Sequence, residues 1–162
     1  MSRRHAAQKR LIKPDVKYKS TMLAKFINKV MFDGKKSLAQ AIVYDSLDLV
    51  EKKYSSNGFE CFNAAIENIR PELNLRSVRI GGSNYQVPEP VELERSQVIA
   101  MNWLLTSSRG RSEKSMVEKL CGEIFDAFNK RGAAIKKSED NRKMAEANRA
   151  FAHYSPKKTQ VD

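Results

Sequence analysis

The sequence predicts an all-α domain, a six-helix bundle with a protruding two-stranded β-hairpin arm and a basic extended N-terminal arm. Three observations lead there. Apolar residues recur at intervals of three and four along five stretches, with a sixth rich in helix formers, as the buried stripe of amphipathic helices requires. The segment IGGSNYQVPEP, Ile80 to Pro90, breaks that period with a glycine pair suited to a two-residue hairpin turn. Positive charge, finally, is gathered at the two ends of the chain.

Residues 1–19 have no apolar period and read as the arm. The helical domain spans 20–154 with the hairpin at about 73–90, and 155–162 form a short basic tail. From Met22 the positions Leu23, Phe26, Ile27, Val30 and Met31 predict a first helix, with Gly34 as its left-handed C-terminal residue. Ser37 and Gln40 have capping-box spacing ahead of Leu38, Ile42, Leu47 and Val50, a second helix ending near Lys53. Phe59, Phe62, Ile66 and Ile69 predict a third, closed by Pro71.

In the hairpin, Gly81 and Gly82 supply the positive φ of a primed turn, placing Ile80 opposite Ser83 and Val78 opposite Tyr85. Val78, Ile80, Tyr85 and Val87 then share one face, and Ser77, Arg79, Asn84 and Gln86 the other. A lone ribbon is marginal in water, so this one either packs on the helices or is held by a partner. A fourth helix follows through Val98, Met101, Trp103, Leu104 and Leu105 and stops near Arg109 to Ser112. Ser115 and Glu118 cap a fifth, through Val117, Leu120, Cys121, Ile124 and Phe128, with Gly132 past its end. The last helix, with few large apolar residues, belongs on the surface, with Met144 and Phe151 as anchors.

Among 162 residues the formal net charge is +11, and its distribution is uneven. Residues 1–36 hold 11 Lys and Arg against 2 Asp and Glu, residues 37–128 hold 10 against 13, and 129–162 hold 9 against 4. Basic ends flanking a slightly acidic middle point to a polyanionic partner. Cys61 and Cys121 form no CxxC motif and read as core residues of a protein in a reducing compartment. No apolar run is long enough to span a bilayer, and Met1 to Lys13 lacks the apolar stretch of a secretory signal.

Catalysis finds no support. GKKS at Gly34 to Ser37 is not a phosphate-binding P-loop, because Lys29 stands at the first glycine position, a lysine is inserted, and a helix precedes it. His5 and His153 lie far apart without a carboxylate or cysteine set, which leaves no metal site, cofactor or nucleophile. Two other binding classes fit poorly. A DNA regulator would need base-reading side chains on its recognition helix, yet Phe59 to Ile69 is acidic and apolar. A peripheral membrane protein would expose a broad apolar face, whereas Leu23, Phe26, Ile27 and Val30 only suffice for a bundle core.

Four segments, DGKKS (33–37), SVRIGGSNYQVP (77–88), RSEKSM (111–116) and KMAEANRAFAHY (143–154), resemble the bacterial type of the seventh protein of the small ribosomal subunit. The likeness runs nearly end to end. It implies six helices with a hairpin between the third and fourth. It further implies direct binding to the 3′ major domain of small-subunit rRNA, nucleation of head assembly, a position beside exit-site tRNA and mRNA, and neighbouring ribosomal proteins as partners. No catalysis, membrane or small-molecule substrate is implied. The place would be a bacterial ribosome in the cytoplasm, or alternatively an organellar one in the mitochondrial matrix.

Residue by residue, the resemblance assigns rRNA contacts to Arg3, Arg4, Lys9 and Arg10 of the arm and to Lys35 and Lys36. It adds Arg76, Arg79 and Arg95, then Arg109, Arg111, Lys114 and Ser115, and finally Lys136, Lys137, Arg142, Lys143, Arg149 and His153. Gly81, Gly82, Ser83, Asn84, Tyr85 and Gln86 form the part of the hairpin that approaches exit-site tRNA and mRNA. Val78 departs from the family, whose bacterial members commonly carry a basic residue there. Glu89, Glu92 and Glu94 are unusually acidic beside the hairpin.

Overall fold

The computed structural model describes residues 10–154, so Arg3, Arg4, Lys9 and the tail from 155 lie outside the described residues. Six α-helices appear in the expected order: α1 Thr21–Val30, α2 Lys36–Tyr54, α3 Gly58–Ile69, α4 Leu93–Arg109, α5 Met116–Phe128 and α6 Ala133–Ala147. Between α3 and α4 lie β1 Leu73–Ile80 and β2 Ser83–Pro90, and a 3-10 turn, Arg149–Tyr154, follows α6. Helix α5 packs on α2, α3 and α4.

The core is the meeting of the predicted stripes. Leu23, Phe26 and Ile27 of α1, Val43 and Leu47 of α2, Phe62 and Ile66 of α3, Met101 and Leu104 of α4, and Leu120 and Ile124 of α5 are buried. Each such side chain contributes roughly 1.5–3 kcal/mol by leaving water. Cys61 and Cys121 are buried free thiols, and burial pushes both pKa values up, which keeps them protonated.

Local chemistry sets the helix ends. Ser20 caps α1, its Oγ accepting from Leu23 N at 3.3 Å. Asn57 caps α3, accepting from Phe59 N and Glu60 N. Gly58 is required beside it, because a Cβ there would overlap the Leu47 carbonyl of α2. The capping box of α5 forms as expected, Ser115 Oγ accepting from Glu118 N at 3.2 Å and Glu118 Oε2 from Ser115 N at 3.4 Å.

Other expectations need correction. The Ser37–Gln40 box does not form, because α2 starts at Lys36 and Ser37 is already inside its first turn. Asp33 and Gly34, at φ 49° and 74°, make a tight left-handed turn that delivers the chain to α2 early. Gly34 therefore belongs to that turn, and α1 closes instead at Met31, whose N–H donates to Ile27 O. Leu38 is exposed, with Ala39 and Val43 carrying the buried face. Gly132, at φ 95°, is the N-cap of α6 rather than the end of α5. Met144 is 50% exposed and lies outside the buried face of α6. The buried face of α6 is Ala134, Ile135, Asn141 and Ala145, whose small alanines let the helix lie close.

The hairpin has the expected register, Ile80 opposite Ser83 and Val78 opposite Tyr85, with Gly81 and Gly82 at φ 56° and 91°. Its open question has a structural answer. The ribbon packs on the chain's own C-terminus: Tyr85 lies 5.0 Å from the Phe151 ring and 6.3 Å from Tyr154, and Asn141 Nδ2 donates to Leu73 O at 2.7 Å. Val87 is fully buried, whereas Gly81 to Asn84 at the tip are exposed.

Candidate nucleic-acid interface

Two groups of candidate residues are joined through α6. At its C-terminal end, Arg142 and Lys143 lead into the 3-10 turn with Arg149 and His153, and this turn packs on β2. These four side chains are exposed. His153 sits 3.9 Å from the Tyr154 ring, with Nδ1 2.8 Å from Ala150 O. Tyr85 thus links the hairpin to this basic end. Arg79, exposed on the opposite face with Ser77, Asn84 and Gln86, makes no ion pair among the described residues.

Arg76 behaves differently from Arg79. By register it shares the face of Val78 and Val87, and its Nη1 lies 3.8 Å from Glu89 Oε1 on the other strand. The pair is exposed enough to contribute little stability. Glu89 offsets part of the charge that Arg76 was expected to offer a phosphate. Arg95 is exposed in the first turn of α4, two residues after Leu93 and close in sequence to Glu92 and Glu94.

At the other end of α6, which carries Lys136 and Lys137, a partly buried ionic network ties the helix start to the loop between α4 and α5. Arg111 Nε donates to Glu113 Oε1 at 2.8 Å, and its Nη1 donates to Glu123 Oε2 at 2.9 Å and Asp126 Oδ2 at 2.8 Å. Glu123, 1% exposed, also accepts from Ala134 N of α6 through Oε1 at 2.8 Å. Burial works against the guanidinium's charge, but its hydrogen bonds to Asp126, Glu123 and Glu113 outweigh it and raise the pKa. The same contact holds the Glu113 carboxyl below the usual glutamate range.

Arg111, which the resemblance assigns to rRNA, is thus a partly buried counterion shared by three carboxylates. Its neighbours Arg109 and Lys114 are exposed beside it. Ser115 is committed to capping α5 through its Oγ.

Lys35 and Lys36 are exposed where α2 begins, and Arg10 is exposed at the start of the described chain. The arm is anchored sooner than a basic, periodless segment suggests. Asp15, 5% exposed, accepts from Lys17 N, Tyr18 N and Tyr44 Oη, and Lys17 Nζ donates to Asp48 Oδ1 at 2.8 Å. The Asp48 hydrogen bond raises the Lys17 pKa, and burial with the Asp15 contact raises that of Tyr44. Pro14-Asp15 is a turn signal that could have revealed this anchor. Nothing local could have revealed the Arg111 network, whose partners lie up to 15 residues away.

Other chemistries gain nothing from the geometry. A cleft of about 460 Å³ between the ends of α3 and β1 and the side of α6 is lined by both signs of charge, among them Arg70, Glu72, Glu139 and Arg142. Among the described residues, no His, Cys, Asp and Glu group could hold a metal ion. No helix there is long and apolar enough to cross a membrane.

Comparison with known proteins decides the family. The profile of "Ribosomal protein S7p/S5e" matches residues 2–149. The chain belongs to this family. "Small ribosomal subunit protein uS7" of Rickettsia bellii (strain RML369-C) is 54% identical over 159 residues, covering 98% of each chain. The protein of the same name from Rickettsia massiliae (strain Mtu5) is 53% identical over 158 residues, 98% of this chain and 99% of that one. That of Rickettsia akari (strain Hartford) is 52% identical over 160 residues, 99% and 100%.

Membership makes the chain a structural, non-enzymatic constituent of the small ribosomal subunit. Its relatives place it in a bacterial ribosome in the cytoplasm and do not favour the organellar alternative.

Proposed function

We propose that this S7p/S5e family member is a primary binder of the 3′ major domain of small-subunit rRNA. It nucleates assembly of the subunit head beside neighbouring ribosomal proteins, and its hairpin tip lies near exit-site tRNA and mRNA. The observation that carries the reading is the hairpin docked on the basic C-terminal turn, which brings Arg79, Arg142, Arg149 and His153 onto one packed unit with an exposed tip. Cations on phosphates supply affinity by releasing counterions, yet carry little sequence information. Selectivity therefore comes from shape: A-form helices hide their base edges in a deep groove, so a fixed spacing of basic elements selects an arrangement of RNA helices.

Nucleotide protection tests it. Full-length protein bound to intact small-subunit rRNA is expected to protect backbone positions within the 3′ major domain. Protections spread over the other domains to the same extent would refute the assignment.

A further inference from the structure

The last turn of α2 and the C-terminal half of α5 carry a row of three aromatic rings that the core does not absorb. Tyr54 and Phe125 lie face to face, centroids 3.4 Å apart and 4° from parallel, and Phe128 continues the row from Phe125 at 6.5 Å and 29°. Phe125, in the middle, is half-buried, while Tyr54 and Phe128 are 37% and 39% exposed. The spacing of Cys121, Phe125 and Phe128 puts them on one stripe of α5, and only Cys121 is fully buried. The rings present surface to solvent at both ends of the row.

Cations flank it. Lys52 and Lys53 precede Tyr54, and Lys130 and Arg131 follow Phe128; all four are exposed and in no ion pair among the described residues. Asp126 beside Phe125 accepts from Arg111 but shares that one cation with Glu113 and Glu123, and Glu51 is an exposed carboxylate in the same turn as the lysines, so the four cations act against these negative charges.

We propose that this row is a stacking platform for unpaired bases of RNA, with Lys53 and Arg131 as its phosphate partners. Flat ring faces between cations are what single-stranded RNA sites use, because every base offers a π-face and every nucleotide a negative charge. The inference rests on the rRNA-binding reading and deepens it, adding a base-stacking site on elements other than the hairpin and α6.

The test is the affinity of full-length wild type, Tyr54→Phe, Tyr54→Leu and Phe128→Leu for a 3′ major domain rRNA fragment at several salt concentrations. Each leucine variant is expected to bind at least about fivefold more weakly with an unchanged salt slope, since a stack and not a phosphate contact is lost. Tyr54→Phe, which keeps the ring, is expected to bind as wild type does. Wild-type affinity in both leucine variants overturns the platform. So does a leucine variant that changes only self-association or retention of a neighbouring subunit protein, because the row then serves a protein. If weakened binding tracks a lowered melting temperature and Tyr54→Phe fails to restore it, the rings are structural and the proposal falls. Failure of the wild type itself to prefer the fragment is a separate result, which overturns the rRNA reading first.

Discussion

Arg111 of the α4–α5 loop and the buried Glu123 of α5 tie that loop to the start of α6. One guanidinium nitrogen of Arg111 donates to Glu123 Oε2 at 2.9 Å while Glu123 Oε1 accepts the Ala134 N–H at the start of α6, so the α4–α5 loop and α6 share one buried carboxylate. Removing the cation leaves Glu123 buried without its charge partner. Arg111→Ala is expected to cost on the order of 3 kcal/mol, read from urea unfolding. A change within a few tenths of a kcal/mol would show that the network is not coupled to folding.

The same network carries a pH dependence. Arg111 lowers the folded-state pKa of Glu113, so this contribution is complete above the ordinary glutamate range, about pH 4.3, and is lost as pH falls through the lowered value. The wild type is therefore expected to lose more stability than Glu113→Gln on going from about pH 5 to about pH 3. Parallel acid limbs for the two proteins would remove Glu113 from the account.

Gly58 is where α3 starts against α2, and a Cβ there would overlap the Leu47 carbonyl and lie 2.9 Å from its carbon. Alanine is the better helix former by about 1 kcal/mol. Backbone cannot yield cheaply, however, so Gly58→Ala is expected to destabilise by about 2 kcal/mol net. A stabilised variant, seen as a higher melting temperature, would mean that the helices can separate without cost.

Docking of the hairpin rests on Tyr85 against Phe151. Phe151→Ala is expected to lower the opening free energy of amides in β1 and β2 by about 1–2 kcal/mol, from lost burial and ring contact. Hydrogen exchange reads this residue by residue. The urea midpoint of the helical core should barely move, and equal loosening of α1 would contradict a separately docked ribbon.

The helices, the hairpin and its register could be read from the sequence because each is written in local spacing. Phe59 to Ile69 announces a helix face, Gly81-Gly82 a primed turn, and Ser115 with Glu118 a reciprocal cap. What stayed hidden depends on partners distant in sequence. Asp15 finds Tyr44, Asn141 finds Leu73 and Arg111 finds Asp126 only after the bundle assembles. For the candidate interface, composition located the basic segments but could not tell a spent cation from a free one. Arg76 and Arg79 look alike in the chain, yet Glu89 faces only the first. Ser37 misled for a related reason: its motif has capping spacing, but the turn at Asp33-Gly34 starts the helix ahead of it.

That distinction between the two arginines sharpens the rRNA reading. The most direct measurement is the affinity of wild type, Arg76→Ala and Arg79→Ala for the 3′ major domain rRNA fragment across salt concentrations, beside a fragment from another rRNA domain. Direct binding of this domain requires a wild-type log-log slope of several units and tighter binding to the 3′ major domain at moderate salt, with Arg79→Ala lowering the slope by about one and Arg76→Ala by less. Equal affinity for the two fragments, with slopes untouched by Arg79→Ala, would contradict it.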